Sequence, residues 1–342
     1  MVKTMTIKDI ARNLGISYST VSRALNDDPK VSSKTKKKVQ EEATRVGFAF
    51  NINARNLVKK KTNTIGVVFS NNFNLTDYRW FYNEMEFNLI ENIVKYEYDF
   101  LIQPNTNIKN ESNIYKMVNG QKVDGIVIAS KQITKEEYEF LEKSKIPYVF
   151  LYFKPTYINE NIENIFFDDN EYGGYIATKY LIELGHREIL TISTNDKDLR
   201  MYDERTLGYE KAMKEANLKP KVIKTHMNFE SQPQLIKSHL KEIQNASAIF
   251  AQQDLVALSI VQTLKRDYDM VIPEDLSIIG YNNIDLIKYL DIDLDTIKDP
   301  RAEVIENCVE YLVAKINKKE RSDIPNKLYP KLIQRGTTQS IK

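Results

Sequence analysis

Twenty-one residues near the start of the chain, Thr6-Ile-Lys-Asp-Ile-Ala-Arg-Asn-Leu-Gly-Ile-Ser-Tyr-Ser-Thr-Val-Ser-Arg-Ala-Leu-Asn26, read as two short helices joined by a tight turn. Thr6 is an N-cap with Asp9 three residues on as its capping-box partner. Ile7, Ile10, Ala11 and Leu14 recur at helical spacing and leave one apolar face. Gly15 permits the left-handed conformation that ends a helix sharply. Ser17 caps a second helix with Val21, Ala24 and Leu25 on its buried side, which turns Tyr18, Ser19, Ser22, Arg23 and Asn26 outward. This is the geometry of a helix-turn-helix, whose second helix sets side chains near its N-terminus against base edges in the major groove. Arg23 suits a bidentate bond to guanine, and the hydroxyls and Asn26 suit phosphates or bases. The bland alternative is a helical hairpin with a solvated polar face.

The next residues favour the first reading. Asp27-Asp28-Pro29-Lys30 forms a turn, and Ser32 caps a third helix. Val39, Ala43 and Val46 supply that helix with an apolar stripe, while Lys34, Lys36, Lys37 and Lys38 stay outside. Gly47-Phe48 ends it. Charge is divided unevenly: residues 1–63 hold 14 Lys and Arg against 5 Asp and Glu, a balance of +9, whereas the remainder holds 35 against 42, a balance of −7. A small basic unit favours a polyanion, because each phosphate it neutralises releases condensed counterions.

The single cysteine, Cys308, excludes an internal disulfide and fits a reducing compartment. Met1-Val-Lys-Thr runs straight into a capped helix without an apolar leader, and no stretch of eighteen apolar residues follows. A cytoplasmic protein outside the membrane is expected. His186, His226 and His239 are scattered without ligand spacing, so neither a metal nor a cofactor is expected.

Beyond Asn63 short apolar runs alternate with longer amphipathic stretches. Strands are expected at Thr64–Phe69, Asp99–Ile102, Gly125–Ala129, Tyr148–Leu151 and Ile165–Phe167, with helices at 77–95, Ser112–Asn119 and Lys135–Lys143. The pattern restarts with helix Asn170–Leu184, strand Glu188–Ser193, helix Arg205–Ala216, strand Val222–Thr225, helix Gln232–Leu240, strand Ala248–Phe250, helix Leu255–Arg266 and strand Leu276–Gly280. Strands alternating with helices imply parallel sheets built from crossover units. Two such sheets imply two lobes, and the cleft beyond the carboxyl ends of their strands is the default ligand site.

Several motifs resemble the lactose/galactose/purine repressor family of bacterial transcription regulators. They are Thr6-Ile-Lys-Asp-Ile-Ala, Gly15-Ile-Ser-Tyr-Ser-Thr-Val-Ser-Arg23, Val31-Ser32 with Thr35, and Asn53-Ala-Arg-Asn-Leu57 in the head. The body adds Ile182-Glu-Leu-Gly-His-Arg-Glu-Ile189, Arg205-Thr-Leu-Gly-Tyr209, Gln253-Asp254, and Ile272-Pro-Glu-Asp-Leu-Ser-Ile-Ile-Gly-Tyr281 followed by Asn282-Asn283. The resemblance covers nearly the whole chain. It implies an α/β protein with an N-terminal three-helix helix-turn-helix head and a two-lobed body of type I periplasmic-binding-protein fold with parallel sheets. The implied domains are a DNA-binding head at 1–50, a hinge helix and linker at 51–63, and an effector-binding and dimerisation domain at 64–342. Within the last, one lobe takes about 64–166 and 297–326, the other about 167–296 and 327–338.

Matched position by position, the resemblance implies DNA contacts at Ser17, Tyr18, Ser19, Thr20, Ser22, Arg23 and Asn26, with Ser32 and Thr35 on phosphates. Asn51, Asn53, Ala54, Arg55 and Leu57 form the implied hinge, where a leucine wedges into the minor groove at the centre of a palindromic operator. Phe50 stands where many relatives have proline. The implied effector residues are Arg205, Asn282, Gln253 and Phe229, with Tyr78, Ser130 and Asp299 as weaker matches. A guanidinium such as that of Arg205 can fork onto two sugar hydroxyls or a carboxylate; the bland alternative is a surface pair with Asp203 or Glu204. Tyr152 and Asn282 stand where relatives often carry aspartate, and Gln253 where asparagine is common, which points to a different effector.

The expected function is a homodimeric, sequence-specific repressor of carbohydrate-use genes, switched on double-stranded DNA by a sugar or sugar phosphate through a population shift. One alternative is a global regulator whose corepressor is a phosphorylated carrier protein. A sugar-binding enzyme is the other, but the chain has no G-x-S-x-G or G-x-G-x-x-G motif, and Gly120-Gln-Lys-Val-Asp-Gly125 lacks the Lys and Ser/Thr of a phosphate loop.

Overall fold

A computed structural model of the chain describes residues 5–26, 28–48, 61–71, 79–108, 111–155, 157–158, 163–194, 200–225 and 232–341. The chain divides into two compact units, Met1–Asn63 and Thr64–Lys342.

In the first unit helices α1 (Ile7–Leu14), α2 (Tyr18–Leu25) and α3 (Ser33–Arg45) enclose a small core. The Asp9 carboxylate accepts from Thr6 N at 3.0 Å and from Thr6 Oγ1 at 2.7 Å, which closes the start of α1. Gly15 ends it at φ 63°, a left-handed conformation that glycine adopts without a Cβ clash. Ser17 Oγ accepts from Thr20 N at 3.1 Å and Ser32 Oγ from Thr35 N at 3.3 Å, so both later helices carry the caps their sequences call for. Ile10, Val21 and Val39 are fully buried at the centre. Each such side chain contributes roughly 1.5–3 kcal/mol relative to exposure. Glu42 bolts α3 to α1, accepting from Asn13 Nδ2 and Arg45 Nε, both at 2.7 Å.

The second unit holds two six-stranded sheets. The first runs β13-β7-β6-β5-β1-β2, all parallel, from β1 (Thr64–Phe69), β2 (Asp99–Pro104), β5 (Gly125–Ala129), β6 (Tyr148–Leu151), β7 (Ile165–Asp168) and β13 (Lys327–Leu328). A two-stranded ribbon, β3 (Asn107–Ile108) with β4 (Glu111–Ser112), follows β2. The second sheet runs β14-β12-β11-β10-β8-β9, from β8 (Ile189–Thr194), β9 (Lys221–Thr225), β10 (Ala248–Ala251), β11 (Ser277–Tyr281), β12 (Asp295–Lys298) and β14 (Lys331–Ile333). Only the pair of β12 and β14 is antiparallel in it. Strands such as β5, β10 and β11 are buried along their whole length, as sheets covered by helices on both faces require.

The chain passes between lobes at Asp169, at Asp299-Pro300 and at Tyr329-Pro330. The helix Arg301–Ile316 returns to the first lobe and buries Val304, Ile305, Cys308, Val309 and Leu312 in its core. The sequence pattern left that helix and the strand β12 unassigned. Several expected boundaries also move. The helix containing Arg205 runs Arg200–Glu215, so Arg205 lies in its second turn; an Arg200–Glu204 pair at 3.1 Å and burial of Tyr202 hold the added turn. The helix expected at 232–240 stops at Ser238, and a second begins at Leu240.

Close packing of Arg200–Glu215 against Asn170–Glu183 places Arg205. A Cβ on Gly208 would lie 1.9 Å from the Glu171 carbonyl oxygen, and one on Gly174 would lie 2.1 Å from that of Arg205. Those glycines let the two helix backbones meet. Among the described residues no helix is long and apolar enough to cross a membrane, and no group of three or more His, Cys, Asp or Glu is placed to hold a metal ion.

Candidate DNA interface and effector cleft

On the head, the residues singled out in α2 lie on or near its surface. Ser17, Ser19 and Arg23 are exposed, as is Tyr18 at 53%, while Thr20, Ser22 and Asn26 are half-buried. Ser17 Oγ lies 2.8 Å from both Ser19 Oγ and Thr20 Oγ1, a hydroxyl cluster at the helix N-terminus where phosphates bind well. Asn26 Nδ2 donates to the Ser22 carbonyl at 2.7 Å, so its amide nitrogen closes the helix. Ser32 Oγ and Thr35 Oγ1, 2.9 Å apart, form a matching pair at the start of α3. The hinge positions Asn51, Asn53, Ala54, Arg55 and Leu57 lie outside the described residues, as do Tyr78 and Phe229 of the effector set.

In the body, each sheet has a point where successive connections leave in opposite directions: between β1 and β5 in the first lobe, and between β8 and β10 in the second. Loops diverge there and leave room for a ligand. In the first lobe Ser130 follows β5 and is fully buried. Its Oγ accepts from Gln132 N at 3.2 Å and lies 3.4 Å from Ser70 Oγ and Asn105 Nδ2. These groups are uncharged hydroxyls and amides.

In the second lobe Ser193 Oγ donates to Gln252 Oε1 at 2.9 Å, and Gln253 bonds the Tyr202 hydroxyl through Nε2. Tyr202 also packs into the core of the first lobe, so this bond ties the strand ends to the lobe junction. Arg205 is 2% exposed, which removes the alternative of a surface ion pair. Its Nε donates to Asn170 Oδ1 at 2.8 Å, its Nη1 to the Gln252 carbonyl at 2.6 Å, and its Cζ stands 3.5 Å from the Tyr281 ring centroid. Asp203 and Glu204 pair instead with Lys224 and Arg200.

Asn282, directly after Tyr281, donates from Nδ2 to Asp299 Oδ2 at 2.9 Å. The same oxygen accepts from Arg301 Nη2 at 2.6 Å, and Arg301 Nη1 reaches Glu84. Arg205 Cζ also lies 5.1 Å from the Tyr202 ring centroid, so Arg205, Asn282, Asp299 and Gln253 are joined through Tyr281 and Tyr202, whereas Ser130 belongs to the other lobe's cluster. Tyr152 (φ 65°), Asn282 (φ 107°) and Asn283 (φ 56°) hold left-handed backbone conformations at strand ends, a strain that concentrates at functional sites.

Several neighbours were not assigned to the site from the sequence: Asp168, Asn170, Gln252, Tyr281, Arg301 and Glu84. Asp168 is 5% exposed, and its carboxyl is pushed up to about 7 by burial and then by Asp299, against the opposing pull of Arg205 and Arg301. The segment Gly120–Gly125 runs from a helix end into β5, the reverse of the strand-to-helix order of a phosphate loop.

A basic three-helix reader of the major groove joined to a two-lobed body with a polar cleft defines a ligand-responsive DNA-binding regulator. The lacI-family domain of bacterial regulatory proteins matches residues 6–51, and a periplasmic binding protein-like domain matches residues 178–338. The HTH-type transcriptional repressor PurR of Vibrio vulnificus (strain CMCP6) is 32% identical, over 98% of this chain and 99% of that protein. The chain belongs to the lacI family of bacterial regulatory proteins, and it is a transcription regulator rather than an enzyme. The lac repressor dimer bound to operator and the anti-inducer ONPF superposes with a TM-score of 0.77 at 20% identity, covering 99% of this chain and 100% of that one. The complex of the transcriptional regulator CelR with cellobiose gives 0.65 at 24% identity, covering 97% and 99%.

Proposed function

We propose that this chain is a homodimeric repressor acting in the cytoplasm on a palindromic operator, and that a small sugar in the cleft between the lobes weakens its hold on DNA. The observation that carries the effector reading is the junction itself, where Arg205 and the Asn282–Asp299 pair meet at the carboxyl ends of the second sheet's strands. A cellobiose complex in a protein of the same fold supports a sugar. For DNA the exposed Tyr18, Ser19 and Arg23 are assigned to base edges, with Ser17, Thr20, Ser22, Asn26, Ser32 and Thr35 on phosphates. The hinge residues Asn51, Asn53, Ala54, Arg55 and Leu57 are assigned to the minor groove.

A dimer fits the face left by the helix Arg79–Lys95 and strand β2. The helix buries Met85, Leu89 and Ile93 but exposes Phe87 at 67% and Val94 at 54%, and Phe100 of β2 is 40% exposed. A second copy of this chain would cover them, as two heads on one palindrome require.

Fluorescence-anisotropy titration on a palindromic-operator library, at two salt concentrations and with a panel of sugars, tests the reading. Selection of one palindrome, with affinity lowered by a particular sugar, is the expected result. Equal affinity for all sequences at moderate salt rejects the DNA assignment; selection without response to any small molecule rejects the effector assignment.

A further inference from the structure

The lobe junction holds a carboxylate oxygen without a hydrogen-bond partner among the described residues. Asp168 ends β7, the last strand before the chain first passes to the second lobe, and it is 5% exposed. Its Oδ2 is buried and has no hydrogen-bond partner among the described residues. Buried polar atoms are nearly always bonded, and one that is not calls for an explanation. The two guanidiniums that act on it direct their donors elsewhere: Arg205 to Asn170 and Gln252, and Arg301 to Asp299 and Glu84.

Charge around the junction adds a second constraint. Asp168 and Asp299 act on one another, and Glu84 feels Asp299 and also Asp285 of the short helix Asp285–Tyr289. Asp285 is paired with Lys288 at 2.6 Å, which leaves Asp168, Asp299 and Glu84 opposite Arg205 and Arg301. Lys131, beside Ser130 in the chain, offsets the remaining negative charge, so the groups around the junction are close to balanced. A phosphate ester brings nearly two negative charges with no cation left over to match them, and the buried Asp168 carboxylate repels them. An O–H or N–H donor satisfies Asp168 with a charge-assisted bond.

Resting on the reading of this cleft as the effector site, we infer that Asp168 accepts a hydrogen bond from the effector. The effector is then a neutral or cationic donor, such as an unmodified sugar or an amino sugar, and not a phosphate ester or a carboxylic acid. The uncharged groups of Ser70, Asn105 and Ser130 suit the hydroxyls of the same ligand.

The test is a thermal-shift screen of the full chain, followed by calorimetry on each hit. The compounds are D-ribose, cellobiose, D-glucosamine, D-ribose 5-phosphate, D-glucose 6-phosphate and D-gluconate. Asn282→Ala shows which hits occupy the cleft, and Asp168→Asn tests the acceptor, with operator binding in the absence of ligand reporting that each variant is folded. Cleft hits confined to the neutral and amino sugars are expected, with binding to Asp168→Asn weakened roughly tenfold or more. A phosphate ester or gluconate whose binding needs Asn282 overturns the inference and leaves the cleft reading standing. Unchanged affinity in a folded Asp168→Asn removes the acceptor role. A screen with no hit that depends on Asn282 overturns the cleft reading and the inference with it.

Discussion

The guanidinium carbon of Arg205 stands 3.5 Å from the ring centroid of Tyr281, while Nε and Nη1 of the same side chain bond Asn170 and the Gln252 carbonyl. One side chain thus joins the helix Asn170–Glu183 to the carboxyl ends of β10 and β11. The glycines at 174 and 208 bring its own helix close enough for that reach. Lysine keeps the charge but has neither the planar fork nor the stacking face. Arg205→Lys is expected to lower unfolding stability by about 1–3 kcal/mol and to abolish the effector response, while operator binding without effector is retained. Urea denaturation alongside anisotropy checks both; a lysine variant that still responds to effector would show that the fork is dispensable.

On the head, exposure separates reading from folding. Arg23 is exposed, so Arg23→Ala should leave head stability within about 0.5 kcal/mol yet weaken operator binding by about 1–3 kcal/mol and relax specificity at one base pair. Val21 is fully buried two residues earlier, and Val21→Ala should lower stability by about 1–3 kcal/mol. Circular dichroism melts and competition titrations against mutated operators distinguish the two. If Arg23→Ala binds every operator as the parent does, α2 is not the reading helix.

Local signals made much of this molecule legible. Caps at Thr6, Ser17 and Ser32 and a left-handed Gly15 define the head helices within a residue, because each is a short-range device. The fully apolar runs at β1 and β5 declare buried parallel strands for the same reason. The helix Arg301–Ile316 was harder to place, since its core residues pack on a sheet built almost entirely from residues before 170. In the site, Arg205 and Asn282 stood out through motifs that adjoin them. Asp168 did not, because only tertiary packing brings Asp299, Arg205 and Arg301 to the end of a strand that reads as ordinary core.

Stability should depend on pH through groups of opposite sign. Burial first, then Asp299, pushes Asp168 up to about 7; burial lifts Asp254 to about 7 as well, although Thr296 Oγ1 and Ile284 N donate to it at 2.6 and 2.8 Å. Both titrate near about 4 in an unfolded chain. Between about 4 and 7 the folded protein therefore holds protons that the unfolded chain has released, so the two carboxyls cost stability above about 7 and cost less as pH falls. His186 opposes them. Burial lowers its pKa, and its ring nitrogens lie 3.1 Å from Ser247 Oγ and the Gln339 carbonyl. What it contributes is present above about 6.5 and declines as pH drops further. Asp168→Asn should raise the melting temperature of the unliganded protein most at pH 8 and least at pH 5. A gain that grows toward pH 5 would contradict this.

The exposed aromatic face of the first lobe gives the assembly a direct test. Phe87 and Val94 lie seven residues apart, on one side of the helix Arg79–Lys95, opposite the buried Met85, Leu89 and Ile93. Alternation along β2 puts Phe100 on the same side of the sheet as Ile102, which packs toward that helix. β2 is the outermost described strand on its side, so Phe100 lies at the edge of the sheet. On the proposed two-fold interface, aspartates at Phe87 and Val94 would bring like charges together, and like charges buried in an interface are strongly unfavourable. Sedimentation velocity should then show the double variant as a folded monomer at concentrations where the parent is a dimer, because both positions are exposed within one chain. Loss of the dimer should also weaken binding to a full palindrome by about tenfold or more while half-site binding is unchanged, since pairing two heads raises their effective concentration on DNA. A double variant that sediments as a dimer would place the interface elsewhere on the body.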